Sequence, residues 1–169
     1  MNGPVHYFRQ MTIEITEAVP SDVNDIHRLI FELATFERAP EEMVITPEIL
    51  LNDGFGQNKI FTCFVAKINK EVIGIALLYT KYSTWKGKCI FLEDIVVTEK
   101  YRSQGIGSKL FKRSIQFAKD QNAGRLEWQV LDWNEPAINF YKHFQATLDP
   151  TWINCKFTRE QLELIEFEA

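Results

Sequence analysis

A chain of 169 residues, 46% apolar and 25% charged, suits one well-buried globular domain and is too short for two comfortable ones. A net charge of −4 with no basic run argues against a nucleic-acid partner and favours approach by cationic small molecules. The longest apolar run, Val72 to Tyr79, is far shorter than the ~20 residues of a membrane span, and the N-terminus has no charged-then-apolar signal pattern, so a cytoplasmic protein without a membrane partner is expected.

Residues 1–10 precede a second methionine, Met11, and are set apart as an arm; residues 11–169 are expected to form the single domain. Ile13 and Ile15 alternate with polar neighbours as in an edge strand, and Ser21 is placed to cap a helix carrying Val23, Ile26, Leu29, Ile30 and Leu33 at helical spacing. A short helix is predicted over Pro47 to Leu51, with Asp53-Gly54-Phe55-Gly56 as its stop. Phe61 to Ile68 and Val72 to Tyr82 predict two strands joined by Asn69-Lys70-Glu71. A central strand follows, then a helix over Gly105 to Asp120, a strand over Leu126 to Leu131, and a helix over Asn134 to Phe144 capped by Asn134. A last strand is predicted over Trp152 to Phe157, and Thr158 is placed to cap a closing helix. Antiparallel strands followed by strand–helix–strand units imply an α/β, mixed-sheet architecture with flanking helices. Cys63, Cys89 and Cys155 are odd in number, lack metal or redox spacing and are expected to be reduced and buried; no metal site is expected.

The chain is organised around Leu92 to Leu110. Leu92, Ile95, Val96 and Val97 are strand residues interrupted by two adjacent carboxylates, Glu93 and Asp94. Strict alternation sends these two to opposite faces. Arg102, Gly105 and Gly107 then frame a glycine turn feeding a helix N-terminus, an anion site of pyrophosphate size. A Walker loop does not fit, and Leu110 stands where a dinucleotide fingerprint needs its third glycine. From residues alone each candidate has a plain rival: Glu93 as a strand carboxylate with an ordinary ion pair, Tyr141 and Trp85 as packing aromatics, Glu37 as a solvated helix end, Arg102 paired with a phosphate or solvated. Asp94 is taken as structural, and His27 and His143 as surface or satisfied histidines.

R-x-x-G-x-G after a strand carrying Leu92-Glu93-Asp94-Ile95 resembles the coenzyme A turn of the GCN5-related N-acetyltransferase (GNAT) superfamily. Asp53-Gly54-Phe55-Gly56, Tyr82-Ser83-Thr84-Trp85-Lys86-Gly87, Asp132-Trp133-Asn134 and Asn139-Phe140-Tyr141-Lys142 narrow the resemblance to the spermidine/spermine N1-acetyltransferase group and, within it, to the thialysine Nε-acetyltransferase branch. It runs from about Thr12 to Phe157. The resemblance implies the acyl-CoA N-acyltransferase fold and direct attack of a small amine on acetyl-CoA in a ternary complex. It makes Glu93 the proton acceptor, Tyr141 the proton donor to the leaving thiolate, and the backbone N–H groups of Ile95, Val96 and Val97 the oxyanion donors and coenzyme contacts. Ser103, Gln104, Gly105, Ile106, Gly107 and Ser108 would hold the pyrophosphate, with Arg102 as a further coenzyme contact and Asn134 and Pro136 along the pantetheine arm. Phe36, Glu37, Trp85, Glu93 and Trp128 would surround the amine. A homodimer is expected on the same ground. Ser83 and the short Leu148-Asp149-Pro150-Thr151 segment lack the acids a polyamine enzyme places there, which points to a lysine-like substrate. Gln145 stands where the family has a glycine. The alternatives are a polyamine acetyltransferase, a protein lysine acetyltransferase and a non-catalytic acyl-CoA-binding module.

Overall fold

The computed structural model describes residues 12–166, so the expected arm over residues 1–10 lies outside the described residues. Two compact units divide the chain, one running to Gln129 and one from Val130.

The first unit is a five-stranded sheet in sequential order. Strands β1 (Glu14–Glu17), β2 (Thr62–Ile68), β3 (Glu71–Ser83) and β4 (Gly87–Val97) pair antiparallel, and β5 (Leu126–Glu127) adds in parallel to β4. The sheet is therefore mixed, as the order of predicted elements implies. The β2–β3 loop is only Asn69-Lys70, both at positive φ, which gives the primed turn that matches strand twist; Glu71 belongs to the strand.

Alternation along the strands divides the apolar residues between two layers. Helices α1 (Val23–Phe36) and α2 (Pro47–Phe55) bury Ile26, Leu29 and Leu50 with Cys63, Val65, Ile75, Leu77 and Val96 of the sheet. Helix α3 (Ile106–Asp120) lies on the opposite face; its Phe117 meets Phe64 edge-on, and Leu110 reaches Gly74. The start of α1 differs from expectation. Ser21 does not cap it; a 3-10 turn over Pro20–Asp22 leads in, and Asp22 accepts from Val19 N–H and from Lys67 Nζ at 2.8 Å. Helix α2 runs on through Asp53-Gly54-Phe55 and stops at Gly56. Gly54 is needed inside it because a Cβ there would stand 2.4 Å from the Phe61 ring.

The second unit carries α4 (Glu135–His143), whose N-terminus is capped by Asn134 accepting from Ala137 N–H, and α5 (Arg159–Leu164), closed by a Thr158–Gln161 capping box. Two strand predictions fail. β5 ends at Glu127, so Trp128 to Leu131 are not in the ladder, and Trp152 to Phe157 form no strand. A strand needs a hydrogen-bonded neighbour, and alternation alone supplies none. Cys155 is exposed, against expectation, whereas Cys63 and Cys89 are buried; all three are free thiols.

Candidate active site

The geometry starts from an irregularity in β4. Leu78 pairs with Leu92 and Leu77 with Asp94, so Glu93 is one residue too many for the ladder and forms a β-bulge. The extra residue shifts the alternation. Asp94, not Glu93, takes the position opposite Leu77 and faces the α1/α2 layer, as Val96 does opposite Ile75. Two adjacent carboxylates thus avoid the opposite-face placement that strict alternation predicts.

The bulge also sets the backbone. Thr98 N–H donates to Ile73 O at 2.9 Å, so the amide of Val96 turns toward β3 and those of Ile95 and Val97 turn to the outer edge of β4. The Val97 carbonyl points the same way and accepts from Arg102 Nε at 2.9 Å. β5 pairs only with Ile90 and Phe91, so among the described residues no strand is laddered to that outer edge beyond Leu92. Ile95 and Val97 therefore present backbone groups that an amide-bearing chain can pair with; the Val96 amide does not.

Past the strand the chain makes one 3-10 turn, Glu99–Tyr101, and then the glycine turn. Ser103 and Gly105 lie at φ 61° and 76°. Gly105 is the N-cap of α3, and no side chain caps that end. A Cβ at Gly105 or Gly107 would meet nothing within 4 Å, so the approach to the first amides of α3, at Ile106, Gly107 and Ser108, is open. Open amides at the positive end of a helix fit a pyrophosphate. Ser103 and Gln104 are exposed beside them.

On the α1/α2 face, carboxylates gather around Asp94. Burial first, then the charges of Glu93 and Glu37, push the Asp94 carboxyl up to about 7. Glu37, an exposed residue, is the C-cap of α1, and desolvation by the protein around it raises its carboxyl too. Burial, and then the Glu93 charge and hydrogen bond, raise the Tyr79 hydroxyl, with a further push from Glu127. Tyr79 sits opposite Phe91 with ring centroids 5.3 Å apart. Glu127, level with Phe91 in the parallel ladder, shares this face. Its Oε1 meets Arg125 at 3.0 Å, and its Oε2 is buried 3.5 Å from Lys81 Nζ without a hydrogen bond.

The expected site residues are thus partly assembled. Glu37, Glu93 and the glycine turn belong to this region. Phe36 is there too, but its ring lies under the Arg102 guanidinium at 5.5 Å. Trp128 stacks edge-on against Phe111 of α3, centroids 5.2 Å apart, on the face opposite its neighbour Glu127. Trp85 is 79% exposed at the tip of the β3–β4 hairpin, past Ser83, the end of β3, which lies six strand positions beyond Leu77 and so roughly 20 Å along the strand from Asp94. Ser83 closes that hairpin by accepting from the amides of Trp85 and Lys86. Sequence reasoning takes Asp94 as structural and passes over Tyr79 and Glu127; these last two share a face with Phe91, a signal visible only once the register is known. In the second unit, Asn134 is engaged as a helix cap, Pro136 occupies the first turn, and Tyr141 is buried, which pushes its hydroxyl up to about 12.

The chain is 40% identical over 159 residues to a thialysine N-epsilon-acetyltransferase of Mus musculus, covering 88% of this chain and 94% of the relative. It is 43% identical over 142 residues to the Bos taurus protein of the same name, covering 79% and 84%. An integron cassette protein from V. cholerae shares the fold with a TM-score of 0.74 at 23% identity, over 90% of this chain and 96% of that one. The Acetyltransferase (GNAT) family profile matches residues 23–145, and with a mixed five-stranded sheet and a glycine turn opening α3, this chain belongs to that family.

Proposed function

We propose that the chain moves the acetyl group of acetyl-CoA to the primary amine of a small cationic, lysine-like substrate such as thialysine. The observation that carries this is the acidic face beside an open strand edge: Glu37, Glu93, Asp94 and Glu127 on one side of the bulged strand, and the amides of Ile95 and Val97 on its edge. The names of the mouse and cattle relatives support the substrate class.

Acetyl-CoA supplies an activated acyl carbon and a thiolate leaving group. The residues of the chain do the rest. A protonated alkylamine, with a pKa near ~10.4, is drawn to the carboxylates and must lose a proton before it attacks. Glu93 takes that proton, directly or through one water. As the N–C bond forms and the C–S bond breaks, charge gathering on the acyl oxygen is met by the outward amide of Ile95. Tyr141 donates the proton that the thiolate needs; a hydroxyl held near 12 stays protonated until then. The turn from Ser103 to Ser108 holds the pyrophosphate, and Asn134 and Pro136 line the pantetheine arm. The same reading has a homodimer working in the cytoplasm.

A polyamine acceptor is the second reading, favoured by the number of carboxylates on the acidic face. Thiol release from acetyl-CoA with thialysine, lysine, ornithine, spermidine, spermine and a histone-tail peptide separates the two. Thialysine and lysine are expected to lead in kcat/KM; spermidine ahead by tenfold would reject the lysine-like substrate, and silence across the panel would reject the activity. Tyr141→Phe is expected to lose about 10²-fold or more in kcat with acetyl-CoA binding unchanged; an unchanged kcat would remove Tyr141 from the mechanism.

A further inference from the structure

Helix α1 ends between the acidic face and the glycine turn, and its last residues serve both. Glu37 adds its charge to the cluster around Asp94. Phe36, one residue earlier, lies under the Arg102 guanidinium at 5.5 Å. Arg102 in turn donates from Nε to Val97 O at 2.9 Å. One turn upstream, Glu32 Oε2 accepts from Thr98 Oγ1 at 3.0 Å, and Arg28 Nη1 reaches the same hydroxyl at 3.4 Å. The segment leaving β4 is therefore held against α1 at two heights. Arg102 is bent back over the strand it follows, its Nε spent on a carbonyl and its face on a ring.

Resting on the acetyl-CoA reading above, we infer that Arg102 is a positioning residue: it clasps the end of β4 to Phe36 and so sets the coenzyme turn against the helix end that carries Glu37. A point charge aimed at phosphate needs neither the Nε bond nor the ring; a guanidinium supplies both because it is planar, weakly hydrated and rich in donors. The Nε bond also fixes the Val97–Thr98 peptide, whose N–H donates to Ile73 O of β3, next to the Val97 amide on the outer edge of β4.

The test is a calorimetric double-mutant cycle with CoA as the probe, using the full chain and the variants Phe36→Leu, Arg102→Gln, Arg102→Lys and Phe36→Leu/Arg102→Gln. Phe36 is 38% exposed, so its replacement leaves the core intact. Phe36→Leu is expected to weaken CoA roughly two- to fivefold although it contributes no donor or charge, Arg102→Lys is expected to behave like Arg102→Gln, and the double variant is expected to bind no more weakly than Arg102→Gln alone. Wild-type affinity in Phe36→Leu, additive losses in the double variant, or rescue by Arg102→Lys would each overturn the clasp and leave Arg102 a simple phosphate contact. A wild-type chain that fails to bind CoA would instead reject the acetyltransferase reading and the clasp with it.

Discussion

Replacing Asp94 by asparagine removes the ionisable group at the centre of the acidic face. Its carboxyl rises from the usual 3.8 to about 7, mainly through burial and secondarily through Glu93 and Glu37. That displacement is about three pKa units (7 − 3.8), and at 1.36 kcal/mol per unit it amounts to at most about 4 kcal/mol. The folded chain holds the Asp94 proton more tightly than the unfolded chain does. Its contribution to stability is thus fully present below pH 3.8, shrinks as pH rises toward 7 and is gone above that. The asparagine variant, with no proton to lose at this position, has no such dependence. Urea unfolding of both proteins at pH 4, 6 and 8 is therefore expected to show the stability difference moving in favour of Asp94→Asn by up to about 4 kcal/mol across the series. A difference that stays flat from pH 4 to pH 8 would refute the placement of this carboxyl in a buried acidic cluster. Amine turnover is expected to fall in the same variant, the usual exchange of activity for stability at a strained site. A bound ammonium should pull the Asp94 titration back down, so the pH dependence should flatten with thialysine present.

Three further outcomes follow from the backbone and the core. Gly105→Ala is expected to destabilise by about 1–2 kcal/mol, since φ is 76° there while space is open, and to weaken acetyl-CoA binding; thermal unfolding and calorimetry measure the two effects. Gln145→Gly is expected to stabilise by about 0.5 kcal/mol, because Gln145 closes α4 at φ 59°, with its own amide on Lys142 O and the next, from Ala146, on Tyr141 O; an unchanged melting temperature would show that the left-handed cap costs nothing. Asp22→Ala breaks a part-buried pair with Lys67 and removes an acceptor for Val19 N–H, and is expected to cost about 2–3 kcal/mol in urea unfolding.

The order of elements and the mixed sheet were legible because each long strand and helix carries its own period. So was the turn, because R-x-x-G-x-G after a strand is a local pattern. What escaped is what depends on pairing. The bulge at Glu93 exists only against β3, and it alone turns Asp94 onto the α1/α2 face, overruling the alternation that set the two carboxylates apart. Asp94, structural by its sequence context, is consequently the most perturbed carboxyl of the cluster. Trp85 lies in a family motif and Trp128 is expected beside the amine on the same resemblance, yet a resemblance does not say which side of a sheet a ring occupies: one sits at a hairpin tip and the other under α3. Trp152 to Phe157 alternates like a strand and forms none. Arg38, Asn122 and Gln145 all end helices at positive φ without glycine, so helix stops were readable only approximately.

The free edge of β4 has a consequence for how such a protein changes over generations. What Ile95 offers there is peptide N–H and C=O, and what Val97 offers is its N–H, groups that every residue but proline carries. Point mutation cannot easily delete them. The opposite side of the strand is written in side chains, Glu37, Asp94, Tyr79 and Glu127, each replaceable by one codon. On the proposed reading, a lineage can therefore drift from one amine to another while its grip on the acyl donor stays the same.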